Sequence, residues 1–225
     1  MSHTVLLINP NTSGPTTDMM VAIAQSCFEL LERPDILVQG LTAPQGPAML
    51  TELEELEQAA AIAGHPDVLA QARKADGIIV GAFGDPGLQA LADDVSAPVI
   101  GIGQAAMFQA AQAGSPFGIA TTTPGLEQSI LEQVRRYGWG SQFSGLRLTP
   151  TAPLDLARTP ERQNLELADS VRACIEQDGA RAVIIGGGPL AQSAQALQEK
   201  LAVPVINPIV AACELMAQRL PIRTP

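Results

Sequence analysis

The residues able to do chemistry gather in four short segments. They are Asn9-Pro10-Asn11-Thr12-Ser13-Gly14, Gly81-Ala82-Phe83-Gly84-Asp85-Pro86-Gly87, Thr121-Thr122-Thr123-Pro124 and Gly186-Gly187-Gly188-Pro189-Leu190. Short polar side chains beside unpaired N–H groups at a helix start favour an anion, a carboxylate above all, because free donors and the helix dipole converge there. The same residue types also serve as plain caps and turns. Two such loops at matching points of one chain favour binding. Glycines after a buried strand let the backbone approach a ligand closely, and the fourth loop, with no reactive side chain, offers backbone donors. Asn9, Asn11, Thr12, Ala82, Phe83, Thr121, Thr122, Gly187, Gly188 and Pro189 are therefore the expected substrate-binding residues. Met49 joins them from the long segment 42–51, which either lids a cleft or covers a sheet edge.

Groups that could move a proton are scarce. Asp85 precedes Pro86, a place for a general base or for a helix cap. His65, in the turn Gly64-His65-Pro66, is the other catalytic candidate. His3 is the only further histidine, and Cys27, Cys174 and Cys213 are widely spaced within helical segments. Neither a metal site nor a disulfide framework is expected. The acidic residues Glu52, Glu54, Glu55 and Glu57 read as a solvated helix face. Gly101-Ile102-Gly103-Gln104-Ala105-Ala106 matches a GxGxxA pattern after a strand. A dinucleotide fingerprint belongs in the first βαβ unit with an acidic residue about 20 positions on. Here positions 121–123 are all threonine, so no nicotinamide cofactor is expected.

The elements that must position these loops follow a simple rhythm. Short β-branched runs at 4–8, 36–41, 77–80, 99–102, 117–121, 182–185 and 204–206 alternate with longer Ala/Leu/Gln-rich segments. Such runs are strands buried on both faces of a parallel sheet, joined by right-handed helical crossovers. Leu126, Ile130, Leu131 and Val134 fall on one helical stripe, and Asp85-Pro86 and Thr123-Pro124 read as helix starts. The chain is also built twice. Residues 78–106 and 183–212 share a strand, a Gly-rich turn, a QAL helix, a Pro-Val-Ile strand and a closing Ala-Ala. VLLINPNTSGPT near the start resembles FGIATTTPGLEQ at 117–128 in the same way. The fold class is α/β, with two pseudo-twofold lobes, 1–103 plus 207–225 and 104–206, and a cleft between them. Ligands of open parallel sheets sit beyond the carboxyl ends of the strands. The tail helix from Pro208 to Leu220 has no following strand and is expected to pack on the first lobe.

Composition narrows the partners. The chain has 225 residues, 46% hydrophobic and 16% charged, with 13 basic against 23 acidic residues and a net charge of -10. A nucleic-acid partner would need a dense basic surface. No apolar run approaches the ~20 residues of a membrane span, and the opening residues read into a strand rather than a signal peptide. The expectation is a cytoplasmic protein with a small-molecule substrate.

INPNTS at 8–13, FGDPGL at 83–88, PVIGIGQAA at 98–106, the Thr pair at 121–122 and PVIN at 204–207 resemble the aspartate/glutamate racemase superfamily, in its hydantoin and allantoin racemase branch. The resemblance implies two α/β lobes, a homo-oligomer and cofactor-independent chemistry. In that chemistry one cysteine thiolate removes a Cα proton and a second thiol returns it from the opposite face. It also implies that Asn11, Thr12, Thr121 and Thr122 hold the substrate's polar groups. At both cysteine positions this chain departs: Ala82 and Gly187 stand there, and neither carries a proton. Three readings follow. One is an enzyme acting on a small carboxylate or cyclic ureide by decarboxylase, lyase or ring-hydrolase chemistry. The others are a racemase or epimerase with a non-cysteine base, and a catalytically silent binding protein.

Overall fold

Two parallel sheets of the same strand order organise the chain. The computed structural model describes residues 2–113 and 115–222. Met1 and residues 223–225, assigned above to the first lobe, and Gly114, assigned to the second, lie outside the described residues. The first half runs β1 (His3–Asn9), α1 (Gly14–Leu30), β2 (Ile36–Thr42), α2 (Leu53–Ala60), a 3-10 turn (Ala61–Gly64), α3 (Pro66–Ala72), β3 (Gly77–Val80), α4 (Leu88–Asp94), β4 (Val99–Gly101) and α5 (Ile102–Ala113). The second runs β5 (Phe117–Thr121), a 3-10 turn (Pro124–Leu126), α6 (Glu127–Arg136), β6 (Phe143–Leu148), α7 (Pro153–Leu156), α8 (Pro160–Glu176), β7 (Ala182–Ile185), a 3-10 turn (Gly188–Leu190), α9 (Ala191–Gln198), β8 (Val205–Ile206) and α10 (Pro208–Arg219). The sheets are ordered β2-β1-β3-β4 and β6-β5-β7-β8, every pair parallel. One compact unit comprises Met1–Leu50, Glu54–Ala105 and Ile209–Pro225; the other comprises Thr51–Leu53 and Ala106–Pro208.

Residue type explains the layers. The central strands β3, β5 and β7 are buried at every position, as expected of apolar runs covered by helices on both faces. In the first unit Leu6, Ile8, Ile78 and Val80 form one core with Ile62, Val68 and Leu91. In the second, Val183 and Ile185 pack with Leu167, Val171, Ala194 and Leu197. Helix α1 starts where Ser13 accepts a hydrogen bond from Thr16 N, with a proline in its first turn.

The duplication extends to individual backbone bonds. Gly81 N donates to Ile8 O at 2.8 Å, and Gly186 N to Ala120 O at 2.8 Å. Ala43 N donates to Asn9 O at 2.9 Å, and Thr149 N to Thr121 O at 3.1 Å. Ile78 N donates to Pro98 O, and Val183 N to Pro204 O, both at 2.9 Å.

Three expectations need correction. Strand β6 has no counterpart among the seven runs read from the sequence, because Gly145 and Arg147 interrupt its apolar pattern and all six residues are only half-buried. Ile102 begins a helix rather than ending a strand. Helix α4 starts at Leu88 behind Gly87, which has φ 74° and no side-chain cap; Asp85 is turned to another task, described below.

Residues from Ile209 onward belong to the first unit, where one arginine holds their end. All five N–H donors of Arg33 are placed. Nε and Nη2 grip Asp35 at 2.8 and 3.0 Å. Nη1 donates to Ala217 O and Leu220 O, at 2.7 and 3.2 Å, and Nη2 also to Pro221 O at 3.1 Å. The Ala217 carbonyl is one of the orphan acceptors in the last turn of α10, and Leu220 and Pro221 follow directly after it. His3 Nε2 lies 2.9 Å from the same Pro221 carbonyl.

The three cysteines are all buried in helices. Burial pushes the Cys174 thiol up to about 12, with Asp178 adding to the effect, and burial pushes Cys213 up as well. The Cys27 thiol is lowered by its hydrogen bond with Cys213, against the effect of burial.

Arg33→Met should lower the unfolding free energy by roughly 3 kcal/mol, since it takes the guanidinium from the Asp35 carboxylate and the side-chain donor from the Ala217 and Leu220 carbonyls. Arg33→Lys should recover little, having fewer donors and no fork; urea titration measures both. Cys174 and Cys213 should resist a thiol reagent at pH 8 in the native state and react on unfolding, which mass spectrometry after labelling resolves site by site.

Candidate functional site

The carboxyl ends of β1 and β3 carry the first two loops. Asn9, fully buried, holds the first loop together. Its Nδ2 lies 2.9 Å from Asn11 Oδ1, 3.1 Å from Ser13 O and 3.0 Å from Thr17 Oγ1, and its Oδ1 accepts from Asn11 N at 3.3 Å. Asn9 thus organises the first loop, with its amide engaged inside it. Asn11 Oδ1 is likewise occupied, accepting also from Ser13 N at 2.9 Å. Its Nδ2 has no partner among the described residues and is the donor this loop leaves over. Thr12 N donates to Pro47 O at 3.0 Å, and Ala43 N contacts both Asn9 O and Asn11 O, at 2.9 and 3.2 Å. The segment that carries Met49, itself half-buried, is thus fastened to the first loop.

In the second loop Ala82 is half-buried between the buried residues Gly81 and Phe83. Asp85, with φ 50°, sends its carboxylate to the start of α5. Oδ1 accepts from Gly103 N at 2.8 Å and Oδ2 from Gln104 N at 2.7 Å. A Cβ on Gly101 would overlap that carboxylate. This accounts for the Gly-x-Gly at 101–103 without a nucleotide: the first glycine makes room for the carboxylate and the second donates to it. Both Asp85 oxygens are thereby engaged by backbone donors at a helix N-terminus, a contact that positions the start of α5.

His65 is also a cap. Its Nδ1 accepts from Asp67 N at 3.3 Å at the start of α3. It lines a cavity of about 330 Å³ with Pro10, Gln45, Gly46, Pro47 and Ile62, and no residue from 81–87 lines that cavity.

In the second unit Thr121, fully buried, donates from Oγ1 to Gly186 O at 2.6 Å, tying the third loop to the fourth. Thr122, buried to 2% exposure, has a hydroxyl with no partner among the described residues. Gly187 is half-buried between the buried residues Gly186 and Gly188, and Pro189 sits in the first turn of the 3-10 turn that follows. Ala82 O accepts from Asp85 N at 2.9 Å, and Gly187 O from Leu190 N at 3.1 Å. With the Gly81 and Gly186 bonds, this makes Ala82 and Gly187 equivalent positions of the two sheets.

One carboxylate was missed by sequence reasoning. Glu166 accepts from Thr151 Oγ1 at 2.7 Å, Thr151 N at 3.1 Å and Arg162 Nε at 2.7 Å, just beyond β6. Burial raises its pKa, but the bonds from Thr151 and Arg162 outweigh that and hold it below the usual carboxylate range. Thr151 lies 15 residues before it, and only the i,i+4 pairing with Arg162 follows a local helical pattern. Among the described residues, no group of three His, Cys, Asp or Glu side chains is placed to hold a metal ion. None of the described helices is long and apolar enough to cross a membrane.

Comparison with known proteins places this geometry. The hydantoin racemase of Pseudomonas sp. (strain NS671) is 28% identical over 212 residues, covering 92% of this chain and 82% of that protein. The hydantoin racemase of Paenarthrobacter aurescens is 26% identical over 223 residues, covering 94% and 88%. The solved allantoin racemase from Klebsiella pneumoniae superposes with a TM-score of 0.87 at 28% identity, covering 96% of this chain and 87% of that one. The Asp/Glu/Hydantoin racemase family model matches residues 5–216, and the chain belongs to that family.

Proposed function

We propose that this protein binds a small carboxylate or a hydantoin-type cyclic ureide at the carboxyl-end loops and transforms it without cofactor and without cysteine. The reading is supported by one observation above all: equivalent, accessible positions of the two sheets carry Ala82 and Gly187, which can neither take nor give a proton. A two-thiol racemisation therefore has no carriers. The loops instead offer donors. Asn11 Nδ2, the Thr122 hydroxyl and the glycine-rich backbone of the second and fourth loops are held by a buried scaffold. Preorganised donors of this kind stabilise the oxyanion or enolate formed in decarboxylation, carbon–heteroatom cleavage or ring opening. The proposal includes a cytoplasmic homo-oligomer.

A second reading, a binding protein that does not turn its ligand over, is favoured by the engagement of both Asp85 oxygens. A substrate panel of hydantoins, N-carbamoyl acids and α-substituted malonates separates the two: turnover supports the enzyme, and saturable binding with unchanged ligand supports the second reading. Exchange of the substrate Cα–H with deuterium oxide by the unaltered protein would overturn both in favour of a racemase with a non-cysteine base.

Two further outcomes are expected. The double variant Ala82→Cys/Gly187→Cys should racemise a hydantoin, with each single variant ~100-fold slower. Gly187 has an extended backbone, φ 169°, and a Cβ there meets only the Leu190 side chain at 3.1 Å, so the residue can be accepted. A folded double variant that binds hydantoin yet shows no change in optical rotation would count against this assignment of positions. Thr122→Val should weaken ligand binding about tenfold with an unchanged melting temperature, whereas Thr121→Val should lower stability by about 1–2 kcal/mol through the unsatisfied Gly186 carbonyl. Calorimetry of both variants distinguishes the roles.

A further inference from the structure

Two of the three cysteines meet. Cys27, near the end of α1, and Cys213, in α10, share a hydrogen bond between their thiols. Cys27 Sγ also lies 4.0 Å from Val210 O, one turn earlier in α10. Both cysteines belong to the first unit. The contact is fixed from further along as well: Arg33, just past the end of α1, holds Ala217 O and Leu220 O. The end of α1 therefore runs beside α10 in the same direction, and the packing that fastens the chain end keeps the two sulfurs together.

The two thiols are unequal. A carbonyl can only accept, so the Cys27 S–H donates to Val210 O and the Cys213 S–H donates to Cys27 Sγ. That second bond favours a thiolate at Cys27 and holds its pKa below the usual thiol value, against burial and the Glu214 carboxylate. At Cys213 burial acts the other way, and the bond to Cys27 adds to it. Cys27 retains 7% exposure, while Cys213 and Cys174 have none. Cys174 has only a carbonyl beside it, Ile119 O at 3.7 Å. A sulfur that ionises more readily and can be reached by a small molecule thus sits against one that stays protonated. Oxidation follows thiolate character and access, and a neighbouring thiol resolves the product.

We propose that Cys27 and Cys213 are a peroxide-responsive site, in which Cys27 is the sulfur oxidised and Cys213 the sulfur that resolves it as a disulfide joining α1 to α10. The Cys27 thiolate attacks one oxygen of the peroxide; the S–O bond forms, the O–O bond breaks, and the departing hydroxide takes a proton and leaves as water. The Cys213 sulfur then attacks the Cys27 sulfenic acid; the S–S bond forms, the S–O bond breaks, and the released hydroxide leaves as water with the Cys213 proton. Two thiols are oxidised and one peroxide is reduced. No residue of the four loops takes part, so the site does not rest on the substrate reading.

The test treats the reduced full chain with hydrogen peroxide at neutral pH and reads it by mass spectrometry without reductant. The intact mass should fall by that of two hydrogen atoms. Peptide mapping should join the Cys27 peptide to the Cys213 peptide with Cys174 still free, and dithiothreitol should reverse the link. Cys213→Ser should stop the reaction at a Cys27 sulfenic acid, which dimedone captures as a single adduct. Cys27→Ser should leave Cys213 a free thiol. Cys213→Ala and Cys27→Ala serve the same ends should either serine variant fail to fold. The absence of a disulfide unless urea is added, a link through Cys174 or between two chains, or a sulfenic or sulfinic acid accumulating at Cys27 in the unaltered protein would each overturn the proposal. Undiminished oxidation of Cys213 in the Cys27 variants would overturn it too.

Discussion

Every backbone polar group at the end of a buried parallel strand needs a partner, and this requirement shapes both halves of the molecule. The strands cannot simply stop, because their last carbonyls and the first N–H groups beyond them lie out of reach of water. Gly81 and Gly186 carry the ladder one residue further. Asn9, Thr121 and Asp85 then spend their polar atoms on neighbouring loops and on the start of α5. What remains without a partner among the described residues is the Asn11 NH₂ and the Thr122 hydroxyl, while the most polar neighbours, Asn9, Thr121 and Asp85, hold the loops in place.

This division explains what could be read in the sequence and what could not. The parallel strands, the repeated unit and the four loops follow from periodicity and from local similarity, both carried by neighbouring residues. The division of labour within each loop does not. Asn9 and Asn11, or Thr121 and Thr122, are indistinguishable by type, and only the direction of each side chain separates scaffold from donor. The Asp85 carboxylate serves backbone groups 18 and 19 residues later, a distance no capping pattern covers; its neighbour Pro86 pointed to the wrong helix. Strand β6 escaped notice because an edge strand needs less apolar character than a central one, although its equivalence to β2 in the repeat was the signal that would have found it.

The family fold is built here with Ala82 and Gly187 at equivalent positions of the two sheets. Nothing in the scaffold depends on a thiol at either position: the Ala82 and Gly187 carbonyls accept from Asp85 N and Leu190 N, bonds that any residue with that backbone would make. The backbone at both positions is therefore fixed independently of the side chain it carries.

The grip of Arg33 on the carbonyls of residues 217, 220 and 221 has a consequence for how the molecule is made. Residues 106–208 form almost the whole of one unit, while the other is completed only by residues from Ile209 onward. A ribosome therefore delivers the second unit in full while the first is still missing its last helix. The half that is begun earliest is finished last, and Arg33 waits through nearly the entire synthesis for the carbonyls it will hold.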